Sequence, residues 1–256
     1  MDLGLKGKRF LIGGGSRGLG NAIAQVLAEE GAQVLLMSRD EAALQKAAAK
    51  IGSSASYVAV DISSPGAVET LSNAVDTKLG GLDGILINAG GPPPGEVLGI
   101  SDEQWAQSFE LLIGGPIRIL RALTPKIERE GSVLFITSSS VRQPIPNLDT
   151  SNVLRPGVAA MAKVLARELG PKIRVNSLAP GRFDTDRVRT LDKGRAEAQG
   201  ISVEQQVAQM SKTIPLGRYG EPEEMGRIGA FLLSPAASYL SGISVQADGA
   251  MVTAIP

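Results

Sequence analysis

Short apolar runs alternate with longer amphipathic stretches along the 256 residues. Phe10–Ile12 is an apolar run that enters a glycine cluster, and Asn21–Glu30 after it is Ala-rich and amphipathic, so the order reads strand, tight turn, helix. Gln33–Ser38 predicts a second buried strand, with a helix from Glu41 to about Lys50. Ser56–Val60 predicts a third, and a helix starting at Ser63 or Ser64 with Pro65 runs from there to about Lys78. Gly84–Ile87 is a fourth strand. Residues 90–100, with Pro92-Pro93-Pro94 between glycines, form a stiff loop ahead of a helix that starts near Ser101. Gly114-Gly115-Pro116 predicts a kink before Ile117–Glu128 resumes the helical pattern. Ser132–Thr137, Arg174–Leu178 and Ile243–Gln246 complete the strands, with helices over Ser151–Leu169 and Glu223–Leu233. Residues 186–213 are polar, helical and insertion-like, suited to a lid over a site.

Strands that alternate with helices predict right-handed βαβ units. The fold class expected is α/β: one doubly wound domain over residues 1–256, with a mostly seven-stranded parallel sheet and helices on both faces. No repeat, linker or low-complexity segment divides it.

Composition narrows the chemistry. A hydrophobic content of 43% is ample for one large core. Lys+Arg 26 balances Asp+Glu 26 and no dense basic run occurs, which argues against a nucleic-acid partner. The segment Arg218–Arg227 mixes its arginines with three glutamates and reads as a solvated surface. Without an apolar run of about 18 residues or a signal-peptide core at the start, a soluble, cytoplasmic protein with no membrane partner is expected. There are no cysteines and no histidines. That removes thiolate nucleophiles, Ser-His-Asp triads and His- or Cys-ligated metals, and no metal site is expected. Proton transfer is left to Ser, Tyr, Lys or carboxylates.

The glycine cluster is spaced Gly14-x-x-x-Gly18-x-Gly20. Glycine accepts positive φ and has no Cβ, so such a turn lets a diphosphate approach the backbone, opposite the positive end of the following helix. The strand before it and the helix after it supply the context that gives the motif meaning.

Taken in order, Gly14, Gly18 and Gly20, then Asp61-Ile62, Asn88-Ala89-Gly90, Asn176 with Pro180-Gly181, and Asp248-Gly249 resemble the short-chain dehydrogenase/reductase family. The members most similar are of the 3-oxoacyl-(acyl-carrier-protein) reductase type, and the resemblance runs from about Leu5 to Gly249. It implies a Rossmann-type dinucleotide fold, a small-molecule substrate and a homo-oligomer, dimer or tetramer. It also implies that the glycine turn, with Ser16, Arg17 and Leu19, cradles the cofactor. Asp61 and Ile62 would meet the adenine, Asn88, Ala89 and Gly90 the adenosine side, and Pro180, Gly181 and Thr185 the nicotinamide amide.

The end of the second strand bears on which dinucleotide. NAD-binding folds place an acid there for the ribose hydroxyls. Here Ser38 stands at that position with Arg39 next, and a guanidinium pairs with a 2′-phosphate that a carboxylate would repel. With Arg17, two arginines favour NADP(H) over NAD(H); the competing reading leaves both on the surface and gives the ribose to Asp40.

The family's proton donor is another matter. A tyrosine, a lysine four residues on, a carbonyl-polarising serine and a helix asparagine map here to Ser151, Arg155, Ser138 and Leu112, so Tyr-x-x-x-Lys has become Ser-x-x-x-Arg. A serine hydroxyl is a far weaker acid than a phenol of pKa about 10. Arg155 keeps a positive charge, could hold the nicotinamide ribose, and does not readily release a proton. Pro156 is expected to disturb the helix, so that Ser151 and Arg155 need not share a face. Of the tyrosines, Tyr57 reads as core, and Tyr219 and Tyr239 as borders of a lid or an oligomer contact. Two readings follow: an NADP(H)-dependent oxidoreductase with a rearranged proton donor, or a catalytically silent NADP(H)-binding sensor or regulatory or assembly subunit. Arg155 would also allow a carboxylate or phosphate substrate.

Overall fold

A computed structural model of the chain describes residues 2–254. Seven strands form one parallel sheet: β1 Arg9–Gly13, β2 Gln33–Ser38, β3 Ala55–Ala59, β4 Leu82–Ile87, β5 Ile127–Ile136, β6 Ile173–Pro180 and β7 Ser244–Ala247, in the order β3-β2-β1-β4-β5-β6-β7. Helices α1 Gly18–Glu29, α2 Glu41–Ile51 and α9 Pro222–Leu233 cover one face. The other carries α3 Ala67–Lys78, α4 Asp102–Phe109, α5 Gly115–Leu123 and α6 Asp149–Glu168. Helices α7 Asp186–Gln199 and α8 Val203–Lys212 lie between β6 and α9. This is the expected α/β architecture.

The central strands β1, β2, β4 and β6 and the second half of β5 are largely apolar and buried because both sides of the sheet are covered there. Side chains alternate across a strand, so neighbours enter different cores. Phe10 and Ile12 of β1, Val34 and Leu36 of β2, and Leu134 and Ile136 of β5 pack with Ile23, Leu27 and Met225. Leu11, Leu35, Val133 and Phe135 pack with Leu71, Ile119, Leu123 and Val158 on the opposite side. Local signals start the helices: Asp40 accepts from the Ala43 N–H at 3.0 Å, and Ser101–Gln104 and Ser202–Gln205 form capping boxes.

Several boundaries differ from the sequence pattern. Helix α3 starts at Ala67 instead of 63–64, because the Asp61 carbonyl accepts from the Ser64 N–H at 3.0 Å and from its Oγ at 2.8 Å, holding Pro65 in a turn. The expected kink at 114–116 is a π-helical turn, Glu110–Gly114. Gly115 N–H bonds to the Glu110 carbonyl, five residues back, and Pro116 contributes no N–H. The helix expected over Ile117–Glu128 stops at Leu123. Pro125 lies in a short 3-10 turn and β5 begins at Ile127, where pairing with β4 is irregular between Leu82 and Gly84. Tyr57, read as core, is half-buried on the edge strand, with Lys78 Nζ 5.4 Å from its ring centroid.

Strand order reverses between β1 and β4, so the loops at their carboxyl ends run to opposite sides and leave a crevice.

Candidate active site

That crevice is a cleft of about 1610 Å³ lined by the turn after β1, by β2, β4, β5 and β6 and by α1, α5, α6, α7 and α8. Its floor is the glycine turn. Gly14 and Gly18 both adopt a φ of 60°, and α1 begins at Gly18 with no side chain capping its first N–H groups. Gly20 does not line the cleft. It lies beneath the turn, where a Cβ would stand 2.5 Å from the Gly14 carbonyl oxygen and 2.7 Å from Asn88 Nδ2. Gly14, Ser16, Arg17, Gly18 and Leu19 line the cleft directly.

At one end, Ser38 closes β2 with its Oγ buried and without a hydrogen-bond partner. Arg39 beside it is largely exposed, its guanidinium 3.8 Å from Asp61 Oδ2, and Arg17 is also exposed. Asp40, the alternative ribose ligand, uses its carboxylate to cap α2. Asp61 accepts from the Ser63 N–H at 2.9 Å, and Ile62 lies next to it on the wall. Asn88, Ala89 and Gly90, after β4, continue that wall.

At the other end, Ser138 follows β5 and its Oγ accepts from the Ser140 N–H at 3.1 Å. Ser140 Oγ is 3.3 Å from Ser151 Oγ on α6. One turn on, Arg155 is 7% exposed; its Nη1 donates to the Ile136 carbonyl at 2.6 Å, while its buried Nε has no partner. Burial, and then the charge of Arg187, push the Arg155 guanidinium down to about 10. The disturbance expected from Pro156 does not occur: α6 runs through it, and Ser151 and Arg155 line the same cleft. Their i, i+4 spacing puts both on one face. Leu112 is buried in the π-helical turn, and Leu111 beside it faces the cleft. Pro180 ends β6, Gly181 follows it, and Thr185 caps α7 by accepting from the Val188 N–H at 3.4 Å.

Among the described residues, no tyrosine, lysine or glutamate lines the cleft. Tyr239 is fully exposed, and Tyr219 donates to Asp192 Oδ2 at 3.0 Å, with burial the largest cause pushing its phenol up. Asp192 is 1% exposed and also accepts from Arg182, whose guanidinium stacks 5.0 Å from the Tyr219 ring centroid. This cluster ties α7 to the segments on either side of it.

Sequence reasoning missed Arg187, Arg195 and Gln206, all of which line the cleft. Arg187 spans it, lying against Gly91, where a Cβ would overlap the guanidinium. A signal existed for two of them: Arg187, Leu191 and Arg195 fall on one face of α7 at i, i+4, i+8. Among the described residues no group of three His, Cys, Asp or Glu is placed to hold a metal, and no helix is long and apolar enough to cross a membrane.

The family model described as enoyl-(acyl carrier protein) reductase matches residues 14–251. The chain is 29% identical over 252 residues to the 3-oxoacyl-(acyl-carrier-protein) reductase FabG of Vibrio cholerae, covering 97% of this chain and 99% of that one. Its fold matches L-sorbose reductase from Gluconobacter frateurii, solved with NADPH and L-sorbose, with a TM-score of 0.94, 30% identity and full coverage of both chains. It also matches an NADPH-bound short-chain oxidoreductase from Pseudomonas aeruginosa described as containing an atypical catalytic center, with a TM-score of 0.88 and 26% identity over 97% of this chain and 98% of that one. Together with the strand order and the glycine turn, these matches show that the chain belongs to the short-chain dehydrogenase/reductase family, as an oxidoreductase-type member.

Proposed function

We propose that this chain binds NADP(H) along the cleft and interconverts a carbonyl and an alcohol on a small molecule, with serine hydroxyls and water in place of a tyrosine acid. The observation that supports it is continuity: one cleft joins the glycine turn and Arg39 to Ser138, Ser151 and Arg155.

The residues fit the cofactor. Gly14 and Gly18 supply positive φ, a Cβ at Gly20 would fill the base of the cradle, and the uncapped start of α1 faces a diphosphate. The unpartnered Ser38 Oγ, with Arg39 next to it in sequence and Arg17 lining the same cleft, suits a 2′-phosphate better than a pair of ribose hydroxyls. Asp61 and Ile62 would flank the adenine, Asn88, Ala89 and Gly90 the adenosine side, Arg155 the nicotinamide ribose, and Pro180, Gly181 and Thr185 the amide. When bound, the dihydronicotinamide supplies a hydride to the carbonyl carbon.

Ser138 would donate a hydrogen bond to the carbonyl oxygen as negative charge develops there. The resulting alkoxide is at least as basic as a serine alkoxide, so a serine hydroxyl can pass it a proton and be reprotonated by water from solvent. The Ser140–Ser151 contact extends that path away from the substrate. Arg155 keeps a fixed charge beside it and stabilises the anionic oxygen in transit. Helices α7 and α8 would act as a lid, and a homo-oligomer, dimer or tetramer, would cover the exposed Val153 and Val164 of α6.

A second reading, a silent NADP(H) sensor or regulatory or assembly subunit, is favoured by one observation: among the described residues no cleft-lining side chain is a phenol, amine or imidazole. Fluorescence titration of NADPH, followed by NADPH consumption with a panel of 3-oxoacyl and α-dicarbonyl compounds, separates the two. Binding with turnover is expected. Binding with no turnover on any compound selects the sensor, and absence of binding overturns both.

A further inference from the structure

The substrate end of the cleft carries more positive charge than its walls balance. Arg155, Arg187 and Arg195 line it, and none of the three has a carboxylate within ion-pair distance among the described residues. The cleft's acids are engaged elsewhere: Asp40 caps α2, Asp61 lies beside Arg39, and Asp186 pairs with Arg189 at 3.8 Å. Arg182, the remaining cation of that wall, is neutralised by the buried Asp192.

Burying a guanidinium without a counter-ion is costly, and the usual remedy is a salt bridge or a hydrogen-bonded carboxylate. Arg155 has neither. One of its nitrogens serves the Ile136 carbonyl and its Nε is buried and idle. Arg187 depresses it further, as expected of two like charges facing one space. Gln206 on α8 adds an almost fully buried amide whose oxygen has no partner.

We infer that the substrate is an oxyanion, a carbonyl compound bearing a carboxylate or a phosphate, received by Arg187 with Arg155 beneath it. The inference rests on the NADP(H) reading, because the glycine turn and Arg39 must be filled by the cofactor for the second anion to be the substrate's own. Arg187 suits the role because it reaches across the cleft from the first turn of α7 to Gly91, so an anion bound there also ties that helix down. A planar guanidinium takes either oxyanion in two parallel hydrogen bonds.

Calorimetry on protein saturated with NADPH tests it without requiring turnover. Acetoacetate is compared with methyl acetoacetate, and dihydroxyacetone phosphate with dihydroxyacetone. At least one anion should bind about 10-fold or more tightly than its neutral counterpart, and Arg187→Met should abolish that preference, while Arg187→Lys restores part of it. The pair that shows the preference identifies carboxylate or phosphate. Equal binding of charged and neutral partners, or an anion preference untouched by Arg187→Met, overturns the inference. So does a variant whose NADPH affinity falls as far as its anion affinity, since Arg187 would then serve the cofactor. Failure of the unsubstituted protein to bind NADPH at all counts against the NADP(H) reading instead.

Discussion

Ser140 and Ser151 bring their buried hydroxyl oxygens to 3.3 Å of each other, one from the turn after β5 and the other from the first turn of α6. On the proposed reading, Ser151 stands where the family pattern has a tyrosine, and the proton path then has no acid of moderate pKa.

Restoring that acid should raise the rate. Ser151→Tyr combined with Arg155→Lys is expected to increase kcat on a reducible carbonyl by about 10²-fold or more, the usual contribution of a positioned general acid. Steady-state kinetics, with a thermal melt to confirm folding, checks it. An unchanged kcat in a folded variant would mean proton donation is not what limits chemistry.

Arg39 should decide between the two nicotinamide dinucleotides. Arg39→Asp is expected to weaken NADPH about 10-fold or more, the loss of a charge-assisted phosphate contact, while NADH changes little. Parallel fluorescence titrations read both. Equal losses for the two would place Arg39 away from the 2′-phosphate.

Gly20 admits no side chain. In Gly20→Ala the Cβ would meet two backbone oxygens, 2.5 Å from that of Gly14 and 2.6 Å from that of Gly13, and neither can swing away. Destabilisation of about 1–3 kcal/mol is expected, together with loss of NADPH binding, measured by urea unfolding and titration. A variant with unchanged stability and affinity would show that the cradle is looser than the turn geometry requires.

Asp192 holds the root of α7 through Arg182 and Tyr219. Removing one partner of a buried pair costs about 3 kcal/mol or more, so Asp192→Ala should speed amide hydrogen exchange across residues 186–213 more than across the sheet. Uniform acceleration over the whole chain would mean that the cluster supports global folding instead.

Glu224 gives a pH signature. The Arg218 hydrogen bond, and then the Glu221 N–H, hold its carboxyl at about 2, below its ordinary 4.5. A depressed carboxyl stabilises the fold above its unfolded pKa and loses that contribution as pH falls from 4.5 towards 2. The pair is exposed and screened by solvent, so the contribution is small. Glu224→Gln should therefore be slightly less stable than the parent at pH 7, with the gap narrowing below 4.5 in urea melts. A gap that stays constant with pH would exclude the ion pair as its source.

Much of the cleft was legible because its markers are local. Gly14, Gly18 and Gly20 report a backbone that must turn without Cβ atoms, and Ser38-Arg39 reports the end of a strand. Boundaries failed where a distant or competing hydrogen bond won, as at Ser64, where the Asp61 carbonyl displaced the helix start from Pro65. At Gly115 the π-helical turn absorbed the missing proline N–H, so the expected kink became a change of register.

By itself, the chain's alternation of apolar runs and amphipathic stretches determined the parallel sheet, since both faces of its central strands had to be buried. The absence of cysteine and histidine determined which proton donors were ruled out. Only the tertiary structure decided what surrounds Ser151 and Arg155. Arg187 and Gln206 come from helices far along the chain, and Asp192 neutralises Arg182 but not Arg155. Charge balance in a cleft is set by which side chains converge in space, and sequence separation carries no record of that convergence.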